Sequence, residues 1–373
     1  MSKISVKLTI TPSEVVKILK NHEKCVGSKI MPITENVLLV IEPDTMQFVT
    51  TDSSNFVKTT IPVTTGKEAI VLVPFKKLMD LMKLLSEQPI NLTCHTEDYK
   101  IKIKADEGTY EIAGENPEDF PAFPDDEKKE WFSASGPAFK AALENVLYAV
   151  AKDDVRPAMC GVLIESNGKV EMTATDGNVL AHSEVVEDFI VHNAHNEIVR
   201  AEILESVLKI IPDEKTVEVL SNERNQWFQI GDVVLCTRKI DEKYPNWRGV
   251  LPNYENSFKI DKKNWLLAVN RMLLFTDSVT RVIKTEINLK SISISADSHN
   301  WGHHGHERVA LESDATNILT IGHNASQIKE ALAHITQEVV TVEFSQPSKA
   351  IVINHESGFA LIMPIVLNNV IQD

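Results

Sequence analysis

Residues 173–181 read TATDGNVLA: an Asp-Gly pair flanked by text that alternates between apolar and polar residues. An aspartate there accepts hydrogen bonds from the backbone two residues on, and glycine tolerates the positive φ of a tight turn, so the stretch predicts a β-hairpin. Similar text, TTDSSN at 50–55 and SADSHN at 295–300, puts aspartates at Asp52, Asp176 and Asp297. Their spacings are 176 − 52 = 124 and 297 − 176 = 121. A fixed period of this size means repeated structural units. The three aspartates are expected to be one strand-end turn in three copies.

Other features share that period. Helical segments begin at Thr11, Ser135 and Asp261, and second ones at Pro74, Arg200 and His323. Thr11 and Glu14 have capping-box spacing with Pro12 at the first helical position. Each second helix precedes strand-like alternation, such as TVEVLSNERNQWFQIGDVVLCTRKI. Pro- and charge-rich text at 118–130 and 242–256 separates the units, with Pro121 and Pro245 again 124 apart. The pattern predicts an α+β fold of three similar domains, 1–127, 131–253 and 257–373, each with two helices packed on antiparallel sheets.

The 373 residues carry 38 Lys+Arg against 53 Asp+Glu, a formal charge of −15. That balance excludes a protein that merely coats nucleic acid, but leaves room for one basic face. Lys17, Lys20 and Lys24 in the first helix, Lys76 and Lys83 in the second and Arg271 in the fifth lie opposite the apolar stripes. The expected stripes are Val15, Val16, Ile18 and Leu19, then Leu78, Leu81, Met82 and Leu85. The four cysteines are far apart and read as reduced, buried thiols. No signal peptide and no run near the roughly 18 apolar residues of a membrane span is present, so a cytoplasmic protein is expected.

The run DSHNWGHHGHE at 297–307 gathers His299, His303, His304, His306 and Glu307. Imidazoles suit zinc or nickel, which makes a metal-dependent enzyme the rival reading and a three-domain scaffold a third. The spacing matches no established metal motif, and a solvated loop between strands is the expectation. Phosphate-binding and hydrolase motifs are absent. The chain is expected to be no enzyme and to need no cofactor.

LENVLYAVAKDDVRPAMCGVLIESNGKVEMTATDGNVLAHSE, EKYPNWRGVLP, LTIGHNASQIKEAL and the closing LIMPIVL together resemble the bacterial DNA polymerase III beta subunits, the sliding clamps. The similarity runs in order along essentially the whole chain. It implies a head-to-tail homodimer closing a ring around duplex DNA, bound topologically, with sheets outside and helices inside. It also implies a groove between the second and third domains for short peptide motifs of the replicative polymerase, clamp loader and repair polymerases. Carried over residue by residue, that groove is Met159, Thr175, Gly177, Asn178, Val179, Leu180, Pro245, Val250, Asn324, Ile362, Met363, Pro364 and Ile365. Lys29 would join the helix lysines facing DNA, and the dimer seam would pair Tyr110 and Ile112 with Leu274 and Phe275. The chain departs from the family at Asn178-Val179, Gly249, Gln327, Ile365-Val366-Leu367 and a continuation through Asn368–Asp373.

Overall fold

The computed structural model describes residues 5–27, 31–95, 97–153, 155–211, 215–298 and 302–367. Within it the hairpin read at 173–181 is present. Strands Val170–Thr175 and Val179–Glu184 pair antiparallel, with Thr175 opposite Leu180. The Asp176 carboxylate accepts from the N–H groups of Asn178 and Val179, each at 2.8 Å, and Gly177 has φ +91°. Asp52 makes the same turn, accepting from Ser54 and Asn55 at 2.9 and 2.7 Å, with Ser53 at φ +82°.

The third copy differs from expectation. Strand Ser291–Ser298 runs through Asp297, which pairs with His304 of strand His303–Ala310. Asp297 is a ladder residue there, and its carboxylate accepts from His304 Nδ1. The hairpin ladder extends two residues further than in the other copies, so the aspartate never reaches the turn. Asn222 builds an equivalent turn elsewhere, accepting from Arg224 and Asn225 at 2.9 Å. The signal marks a turn chemistry, more general than the repeat.

The helices are α1 (Pro12–His22), α2 (Phe75–Leu84), α3 (Gly136–Leu147), α4 (Ala201–Ile210), α5 (Lys262–Leu273) and α6 (Ala325–His334). Thr11 and Glu14 cap α1 reciprocally, satisfying two N–H groups that have no intrahelical partner, and Asp261 caps α5 through the Asn264 N–H at 2.7 Å. α1 buries Val15, Ile18, Leu19 and His22. α2 buries Phe75, Leu78, Met79 and Met82, while Leu81 and Leu85 are only half-buried. The i, i+3, i+4, i+7 stripe starts at Phe75, three residues before the expected one, which turns the buried face by about 60°.

Packing gathers the chain into two compact units. The first takes the chain to Pro137 with Ile190–Asn193 and Glu202–Lys239; the second takes Ala138–Phe189, Ala194–Ala201 and the chain from Ile240. In the first, Asn55–Pro62 pairs with Val233–Arg238, Val57 opposite Leu235, so two repeats share one sheet. A four-stranded sheet runs Ser5–Ile10, Ile90–His95, Lys100–Lys104, Thr109–Ala113. Its core includes Leu19, Phe48, Leu78 and Ile101, while Phe56, Trp227 and Cys236 form a satellite cluster. Cys25, Cys94 and Cys236 are buried free thiols, pushed up to about 12 by burial, and Cys160 is half-buried.

In the second unit, Val179–Glu184 pairs with Gly358–Ile362 in an eight-stranded sheet, and His303–Ala310 edges a four-stranded one. A Cβ on Gly358 would lie 2.0 Å from the His182 carbonyl oxygen and 2.8 Å from Ser183 Cα. These are backbone atoms of the paired strand and cannot swing away. Gly358→Ala should therefore cost about 3 kcal/mol or more, read as a lower denaturation midpoint; an unchanged midpoint would show that the strands separate freely there.

Candidate functional site

The Asp176–Val179 turn walls a cleft of about 610 Å³ in the second unit. Thr175 fixes the turn from below, its hydroxyl donating to the Val179 carbonyl at 2.7 Å and accepting from the Gly177 N–H at 3.1 Å. Arg156 lies across the turn and donates from Nη2 to the Asp176 carbonyl at 2.9 Å. A Cβ on Gly177 would meet Arg156 Nη1 at 2.9 Å and Met159 Cε at 3.7 Å. Glycine is needed for this φ and for the guanidinium to lie flat.

Tyr148, Val150 and Ala151 contribute to the cleft, and Val279, Arg281, Asn324, Ser326, Gln327 and Glu330 line it from the last third of the chain. Asn324 caps α6, accepting from the Ser326 N–H at 2.9 Å, and its amide donates to the Thr280 carbonyl at 3.3 Å. Arg281 Nη1 donates to Ser326 Oγ at 2.9 Å. The Tyr148 ring stacks on His334 at 4.9 Å, and burial, then the Glu330 carboxylate, push its phenol pKa up. The terminal segment closes one end: Met363 N–H donates to the Asn178 carbonyl and Ile365 N–H to that of Gly322, both at 2.8 Å.

The residues carried over for the groove thus divide. Gly177, Asn178, Val179, Asn324, Met363 and Ile365 gather at or beside the cleft, Met159 is buried behind Gly177, and Pro364 is half-buried between its neighbours. Leu180 does not open onto it. Successive strand residues point to opposite faces, and Leu180 packs with Leu361, Tyr244 and Trp247 on the other side of the sheet. Pro245 and Val250 flank that cluster and are exposed. Ile362 is fully buried in the core packed around α5 and α6. Arg156, Arg281, Ser326 and Glu330 were not foreseen, because nothing in sequence ties residues more than a hundred positions apart; the positive φ of Arg281, +51°, has no sequence signature.

The basic set is equally divided. Lys17, Lys20 and Lys76 are exposed and, among the described residues, have no carboxylate partner. Lys24 pairs with Glu205, Lys83 with Glu23 at 3.9 Å, and Arg271 with Glu307. Lys29 lies outside the described residues, as do His299 and Asn368–Asp373. Of the seam residues, Leu274 is 76% exposed and Ile112 3%. Tyr110 is half-buried, and the Phe275 ring lies over Gly305, where an added Cβ would come within 3.0 Å of it.

The histidine run is corrected as well. His303, His304 and His306 stand on a strand, not a loop, with Gly305 buried between. Strand alternation sends His303 to the face opposite His304 and His306, so the three cannot converge on one ion. Glu307 instead accepts from Arg271, which holds its carboxyl below the usual range. Among the described residues the potential metal ligands that converge are Glu171, His182 and Glu184, and the Lys169 ammonium already occupies the space between the two carboxylates. Also among the described residues, no helix is long and apolar enough to cross a membrane.

Three family models match the chain in succession: the N-terminal, central and C-terminal domains of the DNA polymerase III beta subunit, over residues 6–124, 135–246 and 248–366. The beta sliding clamp of Pseudomonas aeruginosa is 24% identical over 345 residues, covering 90% of this chain and 93% of that relative. The beta sliding clamp of Treponema pallidum is 24% identical over 364 residues, 95% of each. Among solved structures, the Bacillus subtilis DNA polymerase sliding clamp superposes with a TM-score of 0.91 at 20% identity, covering 98% of this chain and 100% of that one. The α+β class and threefold organisation expected from the sequence are those of this fold, and the chain belongs to the DNA polymerase III beta subunit family, the beta sliding clamps of DNA replication.

Proposed function

We propose that the protein acts without chemistry of its own, as a processivity clamp. Two copies close head to tail around duplex DNA, and the cleft beside the 176–179 turn holds short segments of the replicative polymerase, the clamp loader and repair polymerases. The observation that carries this reading is the cleft itself. It forms where the stretch matched by the central-domain model meets the stretch matched by the C-terminal one, and its Val150, Ala151 and Val179 offer apolar surface among a few fixed polar groups, as peptide sites do. The domain limits 1–127, 131–253 and 257–373 belong to the same proposal.

Two further features support the ring. Strands Thr109–Ala113 and His303–Ala310 each stand at a sheet edge with one unpaired side, a template for strand pairing with another chain; exposed Leu274 lies near the second. Lys17, Lys20 and Lys76 give the first unit's helices uncompensated positive charge, which suits sliding along phosphates through counterion release. Encirclement makes a −15 chain compatible with DNA, because retention then depends on closure more than on charge.

The test is loading by the cognate clamp loader onto nicked circular DNA. Retention after gel filtration is expected on the circle and should fall at least about tenfold when the circle is cut, a difference equivalent to about 1.4 kcal/mol. Equal retention on both forms would sink topological binding, and a strict monomer in light scattering would sink the ring.

A further inference from the structure

We propose that the outward face of the 291–310 hairpin carries a transition-metal site. An ion such as Ni2+ or Zn2+ is held there by the imidazoles of His304 and His306, with Asp297 orienting the first. Strand residues two apart share a face, about 6.6 Å from one another. His304 and His306 therefore stand side by side and exposed on strand His303–Ala310, while Gly305 and Val309 are buried on its other face. Asp297 and Ser295 are their direct partners across the ladder. His304 Nδ1 lies 2.5 Å from Asp297 Oδ1. An ionised carboxylate only accepts, so Nδ1 carries the proton and the lone pair is left on Nε2. A metal-ligating histidine is held in this way: its other nitrogen donates to a carboxylate, which fixes the tautomer and makes the ligating nitrogen more basic. An exposed ring changes rotamer within nanoseconds, so His306 can turn onto an ion bound at His304 Nε2, each nitrogen about 2.0 Å from the metal.

The neighbouring charges favour a cation. Arg308 is opposite Ser293, yet its Nε donates to Ser291 Oγ at 2.7 Å, which draws it away from His306. Lys284 is opposite Ser295 and pairs with Glu286 at 2.6 Å, again away from the histidines. By contrast, the Glu171, His182 and Glu184 group already has Lys169 on both carboxylates and Arg248 at 3.6 Å from Glu171. Imidazole selects borderline ions, whereas Ca2+ and Mg2+ prefer oxygen ligands. Two protein ligands leave the remaining positions to water, so the ion exchanges. Strand pairing at the free edge uses main-chain groups in the plane of the sheet, and the imidazoles stand out of that plane. The site stays open whether or not a second chain pairs there.

The experiment titrates the full-length, untagged protein, stripped with EDTA and dialysed, with NiCl2, ZnCl2 and CaCl2 by calorimetry. One Ni2+ or Zn2+ per chain is expected, and no Ca2+. His304→Thr and His306→Thr should each weaken Ni2+ binding at least about tenfold, since either leaves a single imidazole. Asp297→Asn should weaken it about tenfold through the lost orientation of His304. His303→Thr, on the opposite face, should change it less than about twofold. The four positions are exposed, so the metal-free urea midpoints should match the wild type and separate a lost site from a lost fold. No uptake of Ni2+ or Zn2+ by the wild type would overturn the proposal. So would an affinity that survives loss of both His304 and His306, or one that falls as far in His303→Thr. Unchanged affinity in Asp297→Asn would overturn the carboxylate–imidazole arrangement on which the site rests.

Discussion

Deleting the chain from Met363 onward should abolish capture of apolar peptides, a loss of at least about a hundredfold, the scale of losing more than one interface hot spot. The segment ties together two flanks of the cleft. Met363 is hydrogen-bonded to Asn178 at the turn and Ile365 to Gly322 on strand Leu319–Asn324. Leu367 packs where a Gly322 Cβ would be, at 2.7 Å. Met363 itself is 40% exposed, so Met363→Ala should cost less, about tenfold. The cut must fall after Ile362. That residue is fully buried and pairs with both Val179 and Ile351, so removing it would injure the core and confuse a binding defect with unfolding. Anisotropy with an apolar peptide reads the loss, and light scattering should show an unchanged oligomeric state. Unchanged peptide affinity in the truncated protein would move the groove elsewhere.

Acid should destabilise both units in a window set by two buried histidines. His22 in the first unit and His323 in the second are each pushed down to about 3 by burial. The unfolded chain binds protons on them near the ordinary value of about 6.5, so between these values the unfolded state holds more protons. Their contribution is complete above about pH 6.5 and is lost progressively as pH falls toward 3. At pH 5 each should cost about 2 kcal/mol. The two differ in what surrounds them. His22 is bonded through Nδ1 to Thr50 at 2.9 Å and through Nε2 to Thr59 at 2.8 Å, so its removal leaves two buried hydroxyls without a partner. Among the described residues, His323 has no partner on either ring nitrogen. Replacing an unpartnered polar ring by an apolar one of similar shape is close to neutral or stabilising. His323→Phe should therefore raise stability most at pH 5 and flatten the pH profile, while His22→Phe should destabilise at every pH. Parallel pH profiles of wild type and His323→Phe in urea unfolding would refute this assignment.

The sequence by itself determined the repeat, the α+β class, the helix starts and the chemistry of the turn. These follow from local rules: a capping box at Thr11 and Glu14, 3.6-residue stripes, period-two strands, and an Asx acceptor ahead of a residue that tolerates positive φ. It failed where register decides the outcome. The α2 stripe falls three residues earlier than expected, and two more ladder pairs keep Asp297 in a strand and out of the turn. The site was only partly legible for the same reason. Resemblance gave Leu180 and Val179 together, but neighbours on a strand face opposite ways, and only Val179 meets the cleft. Tertiary structure alone brought Arg156 to the Asp176 carbonyl, Arg281 to Ser326 and Met363 to Asn178. No local preference links such distant positions. Met363 meets Asn178 because strands Val179–Glu184 and Gly358–Ile362 pair in one sheet, and Arg281 meets Ser326 because Val282–Asn288 pairs with Leu319–Asn324; those pairings are fixed by burial of Ile362, Ile283 and their neighbours, a property of the folded core that no short stretch of sequence carries.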